Sequence, residues 1–181
     1  MIYSCYQGVG KSTRYSQKPF DIYGEDLISD IKIDLESSNF FVNGERPEDW
    51  YKIYCNIACD LSKQGYAVFI SSHKLVREWL KKIGMPFVSV SPAVEMKDIW
   101  LKKLEERYRL DPTDKNNKAL VQAREYYERD VADMQRDEYP LILHGENYAL
   151  NVLISLTYED IDWLKLHNYI DLIQHMSHTS K

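Results

Sequence analysis

The sequence predicts an α/β fold, a mainly parallel sheet covered by helices on both sides. Three observations carry this reading. Short β-rich or apolar runs alternate along the chain with segments whose apolar residues recur at helical spacing. The runs are continuous, as in strands buried on both faces. Strand and helix in alternation also require right-handed crossovers, and these make neighbouring strands parallel. Ligands of such sheets bind at the carboxyl ends of the strands.

The first strand, Met1–Cys5, leads into Tyr6-Gln7-Gly8-Val9-Gly10-Lys11-Ser12-Thr13. A glycine-rich turn opening a helix offers backbone N–H groups and partial positive charge to phosphate oxygens. Gly8, Val9, Gly10, Lys11, Ser12 and Thr13 are therefore the expected cradle of a nucleotide triphosphate. Lys11 would reach the β- and γ-phosphates, and the Ser12 hydroxyl would complete a Mg²⁺ shell. The full pattern, G-x-x-x-x-G-K-[ST], places its first glycine where this chain has Cys5, which implies a different departure from the strand. The bland alternative is a glycine turn with a solvated lysine.

A weaker second strand is expected at Ile31–Leu35. Alternation puts Asp34 and Glu36 on one side, where either can orient an acceptor hydroxyl, take its proton or hold Mg²⁺ through water. Ser37 and Ser38 join them as candidate substrate contacts; the other reading is an exposed acidic loop with two turn serines. Trp50, Ile53, Tyr54, Ile57, Ala58 and Leu61 share a helix face, which stops at Gln64-Gly65. Tyr66–Ser71 is the third strand, followed by Ser72-His73. An ATPase of the motor or switch type would carry Asp, and often Glu, at this strand end. Their absence favours transfer to a bound acceptor over hydrolysis. His73 either touches phosphate or substrate, or opens the next helix beside a Ser72 cap.

Leu75, Val76, Trp79, Leu80 and Ile83 form a second helix face, and Phe87–Ser91 a fourth strand. Next come Trp100–Leu110, a polar Asp111–Asn117 loop, and a helix from about Asn117 to Gln135. Arg107 and Arg109 end the first helix, and Arg124 and Arg129 lie on the return helix. Arginines on a mobile hairpin, about residues 100–130, can stabilise charge in transit once donor and acceptor are both bound. A solvated hairpin with a Glu105/Arg109 ion pair is the alternative. Tyr139–Leu143 is the fifth strand. Beyond it, Thr157 is a candidate cap, Tyr158–Leu166 and Tyr169–His175 are weaker helices, and Ser177–Lys181 is expected to fray.

At 181 residues, without repeats or a linker, the chain suits a single domain. Its 23 basic and 28 acidic side chains give a net charge of −5, unlike a protein that coats nucleic acid, although a local basic cleft is allowed. There is no run of 18 apolar residues and no charged leader, so neither a membrane partner nor secretion is expected, and the location expected is cytoplasmic. Cys5, Cys55 and Cys59 lack metal-ligand spacing; Cys55 and Cys59 lie one helical turn apart and read as small apolar side chains. The 14 tyrosines read as packing residues.

From Gly8–Thr13 through Arg107–Arg124 to Leu141–Leu143, the order of elements resembles the P-loop kinases of the nucleoside monophosphate kinase type. Only the phosphate loop is a specific motif. The resemblance implies a three-layer sandwich whose five-stranded parallel sheet runs in the order 2-3-1-4-5, with a helical lid. It also implies ATP and Mg²⁺ as cofactors, and an acceptor over the ends of strands two and three. By position Asp34 is similar to an acidic residue that some relatives turn toward acceptor or Mg²⁺. Arg107, Arg109 and Arg124 are similar to lid arginines. His144-Gly145-Glu146-Asn147 is similar in place to the segment against the adenine base, with Asn147 as its cofactor contact. The compact form also looks like small kinase-like proteins of bacteriophages.

The departures are Cys5, Ser71-Ser72-His73 in place of an Asp-Gly turn, and no base-selecting motif after strand two. The expected function is ATP-dependent transfer of the γ-phosphoryl group to a nucleotide or nucleoside-like small molecule by a monomer or homodimer. Two alternatives stand beside it. One is a kinase of nucleic-acid ends or modified bases, and the other is a nucleotide-binding regulator without turnover.

Overall fold

The structure is a computed structural model that describes residues 1–9, 32–41 and 45–144. Five parallel strands form one sheet: β1 (Ile2–Cys5), β2 (Lys32–Asp34), β3 (Ala67–Ser71), β4 (Val88–Pro92) and β5 (Pro140–Leu143). Their spatial order is β2-β3-β1-β4-β5, the order implied by the resemblance. Each strand lies within one or two residues of its expected run. The reason is visible in the burial: β1 and β4 are buried throughout and β3 in all but its last residue, so their sequences are apolar or small at every position. The edge strand β5 instead buries alternate residues, Leu141 and Leu143.

Four helices among the described residues cover the sheet: α1 (Trp50–Lys63), α2 (Lys74–Lys82), α3 (Lys97–Leu110) and α4 (Asp114–Met134). On one face Ile2, Val68, Ile70 and Phe87 pack with Trp50, Tyr54 and Ala58 of α1 and Val76 and Leu80 of α2. On the other, Tyr3, Cys5, Phe69, Val88, Val90, Leu141 and Leu143 meet α3 through Trp100 and Leu104. Leu120, Ala123, Tyr127, Val131 and Met134 of α4 complete that layer. The result is a three-layer α/β sandwich. No helix among the described residues is long and apolar enough to cross a membrane.

Several local expectations are corrected. The buried stripe of α1 is turned toward Cys55 and Cys59, leaving Ile53 54% and Ile57 38% exposed. The two thiols are small enough to let the helix lie close, and the Cys55 thiol donates to the Val76 carbonyl of α2 at 3.6 Å. On α2, Leu75 and Ile83 face solvent while Arg77 is buried, because the guanidinium meets Asp137 at 2.6 Å and also Asp133. The loop expected over Asp111–Asn117 is only three residues long. Thr113 caps α4 by accepting the Asn116 backbone N–H at 3.3 Å, so the helix starts before Asn117. The segment beyond His144, with its proposed helices, lies outside the described residues.

Candidate functional site at the carboxyl ends of the strands

Chemistry-bearing residues gather where β1, β2 and β3 end. At the end of β1 the Tyr6 N–H still donates to the Val90 carbonyl at 2.8 Å, and the chain turns only at Gln7-Gly8. Gly8 has φ +84°, the left-handed conformation suited to glycine. Cys5 is by contrast an ordinary strand residue, 3% exposed and packed among core side chains. The departure from the strand thus takes place at Gly8, three residues after the position where the motif has its first glycine. Val9 is buried beside it; Gly10, Lys11, Ser12 and Thr13 lie outside the described residues, as does Asn147.

The ends of β2 and β3 are held apart by a tyrosine. The last ladder bond between them runs from Leu35 N–H to the Phe69 carbonyl at 2.9 Å. Beyond it the Tyr54 hydroxyl of α1 accepts from the Ser71 N–H at 2.9 Å and donates to the Leu35 carbonyl at 2.6 Å. One side chain thus satisfies both strand termini and opens a gap between them. Burial is the main reason the phenol titrates above its ordinary range.

Arg46 occupies the rim of this gap. Its guanidinium lies 4.2 Å from the centre of the Trp50 ring and 4.7 Å from that of Phe41. It donates to the Ser37 carbonyl at 3.3 Å, the Ser37 hydroxyl at 3.2 Å and His73 Nε2 at 3.2 Å. Nε2 therefore acts as acceptor, and the imidazole carries its proton on Nδ1. His73 also meets Trp50 edge to face at 5.4 Å. Desolvation, reinforced by the Arg46 charge, lowers its pKa to about 4. Among the described residues no carboxylate pairs with Arg46, and its Nε is buried without a hydrogen-bond partner. Arg77, paired with Asp133 and Asp137, shows how this chain compensates a buried cation elsewhere.

Of the residues expected to contact substrate, the structure joins Ser37 and His73 through Arg46. His73 is itself the N-cap of α2, with no side-chain cap bond, so the expected Ser72 cap is corrected; the Ser72 carbonyl takes the Arg77 Nε–H at 3.3 Å. Asp34 ends β2 in register with Phe69, on the α3–α4 side of the sheet. Glu36 projects to that side too, 2.9 Å from Lys115 near the start of α4. Ser38 is exposed.

The hairpin of α3 and α4 leans over the same end of the sheet. The Trp100 indole N–H donates to the Gln7 carbonyl at 2.8 Å, and the Gln7 amide donates to the Ala119 carbonyl of α4 at 2.8 Å. Arg107 is exposed. Arg109 pairs with Glu106 at 2.6 Å and Arg124 with Glu105 at 2.9 Å, so the expected Glu105/Arg109 pair is replaced by these two. The helix register decides this: Glu106 reaches Arg109 within one turn, whereas Glu105 faces the return helix. Both partners lie on the hairpin itself.

Sequence reasoning missed Arg46, Trp50, Tyr54, Gln7 and Trp100. The available signal for Arg46 was one arginine in an aromatic-rich segment between a strand end and a helix. Comparison of the chain with protein-family models, with curated proteins and with solved structures finds no match.

Proposed function

We propose that the protein is a Mg²⁺-dependent phosphotransferase that moves the γ-phosphoryl group of ATP to a nucleotide or nucleoside-like small molecule. The observation that carries this reading is a convergence at one end of one sheet. The glycine turn follows β1, the strand at which the order changes direction, and the Ser37–Arg46–His73 cluster follows its neighbours β2 and β3. Arg46 supports an anionic ligand there, since among the described residues its charge rests on neutral acceptors and ring faces.

Bound Mg²⁺ and ATP supply the transferable phosphoryl group and the metal charge that screens it. The chain's own residues bind and orient. Lys11 and the backbone amides of Gly8–Ser12 would grip the donor phosphates, Ser12 and Asp34 would hold the metal, and Thr13, Val9 and Asn147 would complete the donor site. Asp34 orients the acceptor hydroxyl, and Glu36, Ser37, Ser38 and His73 line the acceptor side together with Arg46. Arg107, Arg109 and Arg124 stabilise the charge in transit, the latter two by exchanging Glu106 and Glu105 for phosphoryl oxygens. Strand β3 ends at Ser71 and is followed by Ser72-His73, with no carboxylate there to activate water, which favours transfer over hydrolysis.

The test is product analysis with ATP, Mg²⁺ and a panel of nucleoside monophosphates, nucleosides and small sugars. Lys11→Ala should lower kcat/KM by roughly a hundredfold or more. Arg46→Ala should raise the acceptor KM by roughly tenfold to a hundredfold, the loss of a charged hydrogen bond, with the ATP KM unchanged. Full activity in Lys11→Ala would refute the assignment. Tight ATP binding without transfer across the panel would instead make the protein a nucleotide-binding module.

A further inference from the structure

We infer that Trp100 and Gln7 are positioning residues that fix the Gln7-Gly8 turn, the start of the proposed phosphate-binding loop, to the α3–α4 hairpin, so that this turn and the hairpin move as one unit. This rests on the donor-site reading above and goes beyond it, because it assigns a role to residues that meet no substrate. Three contacts converge on two residues of the turn. The Gln7 carbonyl takes the Trp100 indole N–H at 2.8 Å, and the Gln7 side chain is tied to the Ala119 carbonyl at 2.8 Å. A Cβ on Gly8 would stand 3.1 Å from both Trp100 Nε1 and Leu104 Cδ2.

There is consequently no slack between α3 and the turn. Trp100 and Leu104 are each 1% exposed, so neither side chain can swing aside without disturbing the core. A displacement of α3 therefore reaches Gly8 directly. The same hairpin meets the acceptor side through Lys115 and Glu36, 2.9 Å apart. One rigid element thus touches both ends of the proposed transfer path.

A tryptophan that merely fills the core would act differently from one that positions the turn. Loss of filler lowers stability and the active fraction; loss of a positioning bond changes the affinity of the ligand that the turn binds. The variants are Trp100→Phe, which keeps a ring without the N–H, and Gln7→Met, which keeps length without a donor. In the nucleotide-free full chain, hydrogen exchange of the amides of residues 6–9 should quicken about fivefold to tenfold in each variant, the opening expected from one lost hydrogen bond. Exchange across β4 should not change. With Mg²⁺ and ATP, calorimetry should show an ATP Kd raised about fivefold to tenfold, and the ATP KM should rise by the same factor while the acceptor KM stays constant. Unchanged exchange at residues 6–9 in both variants would overturn the inference. Should Trp100→Phe not fold, Gln7→Met at its half-buried site decides the matter alone. Failure of the parent protein to bind ATP would sink the donor-site reading, and the exchange result would still decide whether the hairpin fixes the turn.

Discussion

Replacing Gly8 by alanine measures how closely the turn after β1 is seated on α3. With φ +84° the residue is left-handed, a conformation that costs an L-residue about 1–2 kcal/mol. The added Cβ would also meet Leu104 Cδ2 and Trp100 Nε1 at 3.1 Å. The leucine methyl can yield, but the indole is tethered to the Gln7 carbonyl, so relief requires the turn itself to shift. Overpacking of this kind adds about 1–2 kcal/mol. The stiffer unfolded chain offsets about 0.5–1 kcal/mol of the total. Gly8→Ala should therefore destabilise by about 2 kcal/mol, the balance of these terms. Gly65 is the internal reference: its φ is +93°, yet nothing lies within 4 Å of an added Cβ. Gly65→Ala bears only the dihedral cost less the unfolded-chain offset, about 0–1.5 kcal/mol. Urea unfolding of both variants beside the parent, with unchanged m-values, reads the difference. Equal midpoint shifts for the two variants would refute the close seating of Gly8 on Trp100 and Leu104.

Asp137 should be the costliest single carboxylate to neutralise, since it serves Arg77 at 2.6 Å as well as Lys81 and Ser89 while its side chain is 1% exposed. Asp137→Asn should cost about 3–5 kcal/mol by urea unfolding because Arg77 stays buried, and a cost below 1 kcal/mol would contradict that account. His73 makes stability depend on pH. Its pKa is depressed from 6.5 to about 4, so between those values the unfolded chain binds more protons and stability falls as pH falls. His73 is an exposed residue, and solvent screening keeps the effect modest. His73→Gln should flatten the urea midpoint between pH 6.5 and 4 relative to the parent; superimposed profiles would show that the ring does not titrate this way. Arg124→Ala removes an exposed pair with Glu105 and should change stability by less than about 1 kcal/mol. It should nonetheless slow phosphoryl transfer at least tenfold if Arg124 stabilises the charge in transit. Equal kcat in variant and parent would leave the hairpin structural.

The sheet was legible because β1, β3 and β4 are covered on both faces, and double burial writes itself as an unbroken apolar or small-residue run. The glycine turn was legible for a similar reason: a left-handed position at a strand end leaves a glycine in the chain. Helix faces were read less well. Ile53 and Ile57 look like core residues on hydrophobicity alone, but contact distance decides, and Cys55 and Cys59 fit where isoleucine would hold α1 away. Arg77 shows the converse, a charged residue that is buried through its pairs with Asp133 and Asp137.

By itself, then, the sequence determined the alternation of strands and helices and the place of the glycine turn after β1, because these follow from local periodicity and local dihedral demands. The tertiary structure alone decided the surroundings of that turn. Ser37, Arg46 and His73 meet across separations of 9, 27 and 36 residues, and Gln7 meets Trp100 across 93. Hydrogen bonds and ring contacts of such range depend on where the crossovers bring the strand ends, and no pattern within one segment carries that information.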